Sequence, residues 1–219
     1  MVILTFVLIS LTAILPALIW LVFFMKEDIH PEPKRLIIYT FSLGGLISVP
    51  TLLLQILFQH TILFYALSGI LLVIGLALIE EIFKFIATYI AVHKNPALDE
   101  PIDVMIYMIA AALGFATIEN IFIVSNTFDF NDSLSLFTTF SALSLRFVGA
   151  TLLHALSSAL VGYYWVEGII NQSIKKAVLV GILVATIVHG FFNYLILQFQ
   201  EISLIYPSIF LIIIACFVF

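Results

Sequence analysis

The chain has 219 residues, 63% of them hydrophobic and 10% charged, with a mean hydropathy of +1.26 and a formal charge of −5 at pH 7. These proportions exclude an ordinary water-soluble domain, whose surface would have too few polar groups to meet water. Lipid is the solvent for most of the chain, so residues 1–219 read as a single integral membrane domain, an all-α polytopic bundle, with no stretch left over for a soluble domain.

In chain order, residues 2–25 form the first apolar run. It lacks a basic flank and an A-x-A-like cleavage pattern, so a retained span is expected rather than a signal peptide. Further runs cover 36–59, 61–92, 104–126, 141–165, 175–199 and 202–219, giving about seven spans of the roughly 20 residues that a crossing needs. The third run is overlong and is expected to restart near Ser68-Gly69; the last is the shortest. Gly44-Gly45 and Pro50 are expected to loosen the second span. A lone cysteine, Cys216, rules out an intrachain disulfide.

The loop cations Lys26, Lys34, Arg35, Lys94, Lys175 and Lys176 all fall in alternate loops, and the intervening loops have none. By the positive-inside rule this puts the N-terminus outside and the C-terminus in the cytoplasm of a multi-pass cell-membrane protein. Trp20 and Tyr163-Tyr164-Trp165 are then expected at the inner interface. These short basic loops sit where lipid headgroups lie and offer no nucleic-acid surface.

The remaining charges interrupt apolar helices. In "LALIEEIFKFIA", Glu80, Glu81 and Lys84 stand in mid-span; Glu119, Arg146, His154 and His189 lie inside later spans. A charge at the centre of a span costs roughly 2.5–3.5 kcal/mol on insertion scales, so these groups must face one another or a wet cavity. Glu80, Glu119, His154 and His189 each lie roughly 16–22 Å from the basic-loop end of their helices at 1.5 Å per residue. Four spans thus bring polar groups to one layer.

Lys84 is four residues from Glu80 and three from Glu81, within reach of both. His189 and Asn193 share a helix face, whereas Glu119 and Asn120 are successive and cannot both face one cavity squarely. Gly149, Ala150, Ala159 and Gly162 flank His154 and permit close helix approach. Each polar residue also has a plainer reading. His154, His189, Asn120 and Asn193 can be helix–helix hydrogen bonds, Lys84 a counter-ion, and Arg146 an interfacial cation that snorkels outward. An interior Glu-Glu pair has no packing rationale.

Four blocks, "IEEIFKF", "DEPIDVMIYMIAAALGFATIENI", "RFVGATLLHALSSALVG" and "HGFFNY", resemble in order the motifs of PrsW-type intramembrane proteases, relatives of the CAAX prenyl proteases. They span about residues 78–194, within a motif-bearing core of about 61–199. The resemblance implies that Glu80, Glu81 and Lys84 form the E-E-x-x-K block, Glu119 and Asn120 the E-N pair, Arg146 and His154 the third block, and His189 and Asn193 the last. E-E-x-x-K in place of E-E-x-x-x-R, and Phe147 not standing three residues before a motif histidine, favour the PrsW branch over prenyl-protein processing. The resemblance further implies a client that is a single-span membrane protein, such as an anti-sigma factor cut in regulated proteolysis.

The expected chemistry is peptide hydrolysis. One of Glu80 and Glu81, assisted by His154, acts as general base on a water; His189 and Asn193 donate to the oxyanion; Lys84 is counter-ion. Glu119, Asn120 and Arg146 support them. A zinc version would draw on Glu80 or Glu81, with Glu119, His154 and His189. Between the two, the prenyl-protease likeness implies the metal-free one. The rivals are a proton-coupled transporter, which uses the same residue types at mid-membrane, and a non-catalytic protein that holds a client helix. No inverted repeat supports the transporter.

Overall fold

The computed structural model describes residues 2–64, 69–128, 135–199 and 205–218. Among these residues all regular structure is helical: α1 (Val2–Met25), α2 (Lys34–Phe64), α3 (Gly69–Val92), α4 (Pro101–Thr127), α5 (Ser135–Val148), α6 (Ala150–Ile170), α7 (Ile174–Phe199) and α8 (Ile205–Val218). Four stretches, Lys34–Leu63, Pro101–Asn126, Thr139–Ile170 and Ile174–Phe199, are long and apolar enough to cross a membrane. α3 has 24 residues, but Glu80, Glu81 and Lys84 stand in its middle.

Three boundaries differ from the sequence reading. Residues 61–64 belong to α2 rather than to the third run, and α3 is described from Gly69, where that run was expected to restart. The expected fifth span, 141–165, is two helices that meet at Gly149, where φ −91° and ψ −95° leave the helical region. Apolarity runs straight through this bend, so hydropathy does not register it. The hydrogen-bond ladder also crosses it, with the Gly149 N–H donating to Leu145 O and the Leu153 N–H to Gly149 O, both at 2.9 Å. Last, the described part of the final run is α8, of 14 residues, about 21 Å at 1.5 Å per residue.

α4 is the axis of the bundle. Tyr107, Met108, Ala110, Ala111, Ala112, Leu113, Phe115 and Ala116 are all buried, and α1, α2, α3, α5 and α6 pack around them. Alanine and glycine on this helix let neighbours come close. A Cβ on Gly44 would lie 1.9 Å from Ala111 O, and one on Gly114 1.9 Å from Phe41 O. The expectation that Gly44-Gly45 loosens α2 is therefore corrected: Gly44 is where α2 presses its backbone onto α4. Gly162 does the same for α6, since its Cβ would stand 2.8 Å from Met105 Cα.

The two tryptophans expected at the inner interface make ring contacts within the bundle. Trp165 is buried, edge-on to Phe85 with ring centroids 5.1 Å apart. Trp20 stacks on Phe147 and donates its indole N–H to Phe147 O at 2.8 Å. Trp20 is held by its N–H bond and its ring stack, and Trp165 by its ring contacts.

Candidate active site

The buried positions of α3 are Ala77, Glu80, Glu81, Lys84, Ala87, Thr88, Ala91 and Val92, a three-to-four residue repeat that turns one stripe inward. The three charges belong to that stripe. They face the bundle rather than lipid, which is why an apolar helix can carry them.

The adjacent glutamates have different surroundings. Glu81 is fully buried and fully satisfied. Its Oε1 lies 2.7 Å from Lys84 Nζ, 2.7 Å from His189 Nδ1 and 3.0 Å from the donating Ser157 hydroxyl; Ser158 Oγ donates to Oε2 at 3.4 Å. Glu80 accepts one bond, from Gln55 Nε2 to Oε1 at 2.8 Å. Its Oε2 is buried without a hydrogen-bond partner and faces His189 Nε2 at 3.6 Å, His154 Nδ1 at 3.8 Å and Lys84 Nζ at 3.9 Å.

The imidazole tautomers follow from their partners. His189 donates its Nδ1–H to Glu81, which leaves the Nε2 lone pair towards Glu80. His154 accepts from Lys84 at Nδ1 (2.9 Å) and donates its Nε2–H to Glu119 Oε2 (2.9 Å). The two rings meet edge to face with centroids 4.9 Å apart. A carboxylate anchoring the far nitrogen of an imidazole fixes its tautomer and raises its basicity, as in many metal-binding histidines.

Glu119 and Asn120 diverge as their succession requires. Glu119 turns to His154 and to Arg146, whose guanidinium donates to Glu119 Oε2 at 3.0 Å. Asn120 is buried on the other side, donating to Ala13 O and Thr151 Oγ1 at 3.3 Å, while its Oδ1 accepts from Arg146 Nε at 2.6 Å. Arg146 therefore points inward and bridges both residues; it does not snorkel.

Glu80, Glu119, Arg146, His154, His189 and Asn193 line one cavity of about 340 Å³, together with Gln55, Ser48 and apolar residues of α2 and α4 such as Leu52, Phe115 and Phe122. Glu81, Lys84 and Asn120 stand behind its wall. Three supports were not singled out from sequence as parts of the site: Gln55, Ser157 and Ser158. A lone glutamine in α2 gives no hint of its partner, and serines in apolar helices commonly bond back to their own helix. Ser157 does bond back, to His154 O at 3.2 Å, besides serving Glu81.

Glu80, His154 and His189 each offer a ligand atom, all within 4.8 Å of one another. The ligand set read from sequence had Glu80 or Glu81, and Glu119, beside the histidines. Here Lys84 and two serines already occupy Glu81, and Arg146 occupies Glu119, which leaves Glu80 as the carboxylate facing the rings. The unpartnered Glu80 Oε2 opposite the His189 lone pair fits a cation, because two acceptors facing each other need something positive or a donor between them. The separation of 3.6 Å is near the roughly 3.3 Å between neighbouring ligands of a tetrahedral zinc with bonds of about 2.0–2.1 Å. His154 joins as a third ligand only by giving up its bond from Lys84.

No solved structure is significantly similar to the chain. Curated relatives named Protease PrsW cover most of it: that of Oceanobacillus iheyensis is 28% identical over 88% of this chain and 84% of its own length, that of Geobacillus kaustophilus 28% over 80% and 73%, and that of Clostridioides difficile 29% over 85% and 78%. A family model described as PrsW family intramembrane metalloprotease matches residues 32–219. With four motif blocks and that match over most of its length, the chain belongs to the PrsW family of intramembrane proteases, multi-pass proteins of the cell membrane.

Proposed function

We propose that this protein hydrolyses a peptide bond of a single-span membrane protein at the cavity where Glu80, His154 and His189 converge. The observation that carries this is the buried, unpartnered Glu80 Oε2 aimed at two imidazoles, in a residue set that lines one cavity with α2 and α4. A water placed there would donate to Glu80 Oε2 and His189 Nε2 together. Glu80 takes its proton as the oxygen attacks the scissile carbonyl, then returns it to the leaving amine. Arg146 and Asn193 line the same cavity, and in this reading they donate to the oxyanion. Glu81, held by Lys84, Ser157 and Ser158, orients His189; Glu119 orients His154.

Glu80, His154 and His189 are also the residues that would hold a zinc ion, which the family's description as metalloproteases supports. Zinc would act there as a Lewis acid and bring the pKa of a bound water near 7. The donor set and the description together weigh against the metal-free expectation drawn from the prenyl proteases.

We read the chain as one membrane domain of about seven spans, the loops bearing Lys26, Lys34, Arg35, Lys94, Lys175 and Lys176 facing the cytoplasm. An anti-sigma factor is the client class that the motif resemblance favours. The test uses purified protein in detergent with a single-span reporter: wild type as isolated, after removal of metal by a strong chelator, and after return of zinc. Cleavage lost and restored supports the metal form; chelator-insensitive cleavage supports hydrolysis by Glu80 alone. No cleavage in any arm, with pH-driven flux in liposomes, would make the protein a carrier.

A further inference from the structure

A second buried polar cluster lies away from the cavity. Asp28 and Glu32, from the α1–α2 loop, meet Asp103 of the first turn of α4. They are 6%, 7% and 1% exposed, and one carboxylate oxygen of each lies within 4.8 Å of those of the others. That span is about what two bonds of 2.3–2.6 Å to a shared ion would bridge.

Each carboxylate is pinned through one oxygen. Asp28 Oδ1 accepts the His30 N–H at 2.9 Å. Asp103 Oδ2 accepts the N–H groups of Asp99 (3.0 Å) and Glu100 (2.6 Å), which also fixes the start of α4 behind Pro101. Glu32 Oε2 accepts the hydroxyl of buried Tyr107. These bonds hold the three groups in place without neutralising them. Among the described residues no Lys, Arg or His pairs with any of the three; the nearby ion pair is His30 with Glu100, at 2.7 Å.

The independent sign is Asp28 Oδ2. Among the described residues only two buried side-chain oxygens or nitrogens have no hydrogen-bond partner: Glu80 Oε2, in the active-site cluster, and Asp28 Oδ2. Three buried carboxylates without a cation repel one another, and a buried acceptor without a donor is costly.

We infer that Asp28, Glu32 and Asp103 form a binding site for a hard divalent cation of the Ca²⁺ or Mg²⁺ kind, which ties the α1–α2 loop to the start of α4. Oxygen-only donors select such ions, whereas the two imidazoles at the active site suit zinc. The site is separate from the catalytic cluster in residues and in chemistry.

The test is thermal unfolding of the full chain in detergent after metal removal, with Ca²⁺ or Mg²⁺ titrated back. A saturating rise in Tm is expected in wild type and equally in Glu80→Gln, and its loss in Asp28→Asn and in Glu32→Gln. The inference is overturned by no rise up to about 10 mM, beyond the weakest range of protein calcium sites. It is equally overturned by a rise that persists in both variants, or by variants more stable than a cation-indifferent wild type, which would mean that a shared proton neutralises the cluster. Should the variants not fold, Tb³⁺ luminescence of wild type decides. Emission sensitised by Tyr107 and displaced by Ca²⁺ is expected; its absence rejects the site.

Discussion

Glu80 Oε2 and Asp28 Oδ2 are both buried oxygens without a partner, yet the clusters around them are built on opposite plans. Around Glu80 the bundle supplies two rings, a second carboxylate and an ammonium, so charge is nearly balanced before anything binds. Around Asp28 it supplies only more carboxylates and a phenol. The first plan suits a site that must hold and release protons while substrate comes and goes. The second suits a site whose occupant stays and braces a loop. The contrast shows that burial alone does not make a functional acid; its neighbours decide what it can do.

The largest effect expected is catalytic. His189→Ala removes the ring opposite Glu80 and should lower reporter cleavage by about 10²–10⁴-fold, while Asp28→Asn, assayed with it, should leave cleavage within a few-fold of wild type. Equal losses in the two would erase the division between the clusters.

Next is the balance of charge itself. Lys84 and Glu81 are both fully buried and 2.7 Å apart. Removing one member of such a pair costs about 3–5 kcal/mol, so Lys84→Met should sharply lower Tm. Lys84→Met with Glu81→Gln should recover part of that loss, as a double-mutant cycle would show. A mild effect of Lys84→Met alone would mean that the first cluster does not depend on its internal cation.

A third, smaller effect lies outside both clusters. Gly44→Val puts bulk where a Cβ already meets Ala111 O at 1.9 Å, and overpacking of this kind costs about 1–3 kcal/mol. Its Tm should fall whether or not divalent cations are present, which makes it the control for the cation-linked variants. The smallest change is expected in Gln55→Ala, which frees Glu80 Oε1 from its 2.8 Å bond. Turnover should fall about tenfold, in line with the worth of one hydrogen bond to a charged group, with a small fall in Tm from the orphaned carboxylate oxygen.

The cluster around Glu80 was legible in the sequence because charge inside an apolar helix is conspicuous and costly: Glu80, Glu119, His154 and His189 could be placed at one depth by counting residues. What separates Glu80 from Glu81 was not legible. It depends on Gln55, Ser157 and Ser158, ordinary polar residues whose partners come from other helices. Asp28 and Glu32 passed as loop residues because a charged loop beside a membrane normally meets water; their burial depends on how the loop packs over α4, which periodicity does not encode. The bend at Gly149 was hidden for the related reason that hydropathy follows composition and is blind to ψ. Trp165 followed the same logic, since its type suits an interface and its neighbours Phe85 and Tyr89 put it inside.

The most direct measurement of the central claim is mass-spectrometric detection of the two fragments of a single-span reporter incubated with purified wild type or Glu80→Gln, each first shown to unfold at the same Tm. Cleavage at one position by wild type and none by Glu80→Gln is the predicted result. Fragments in equal yield from both proteins would contradict the assignment of Glu80 to the chemistry.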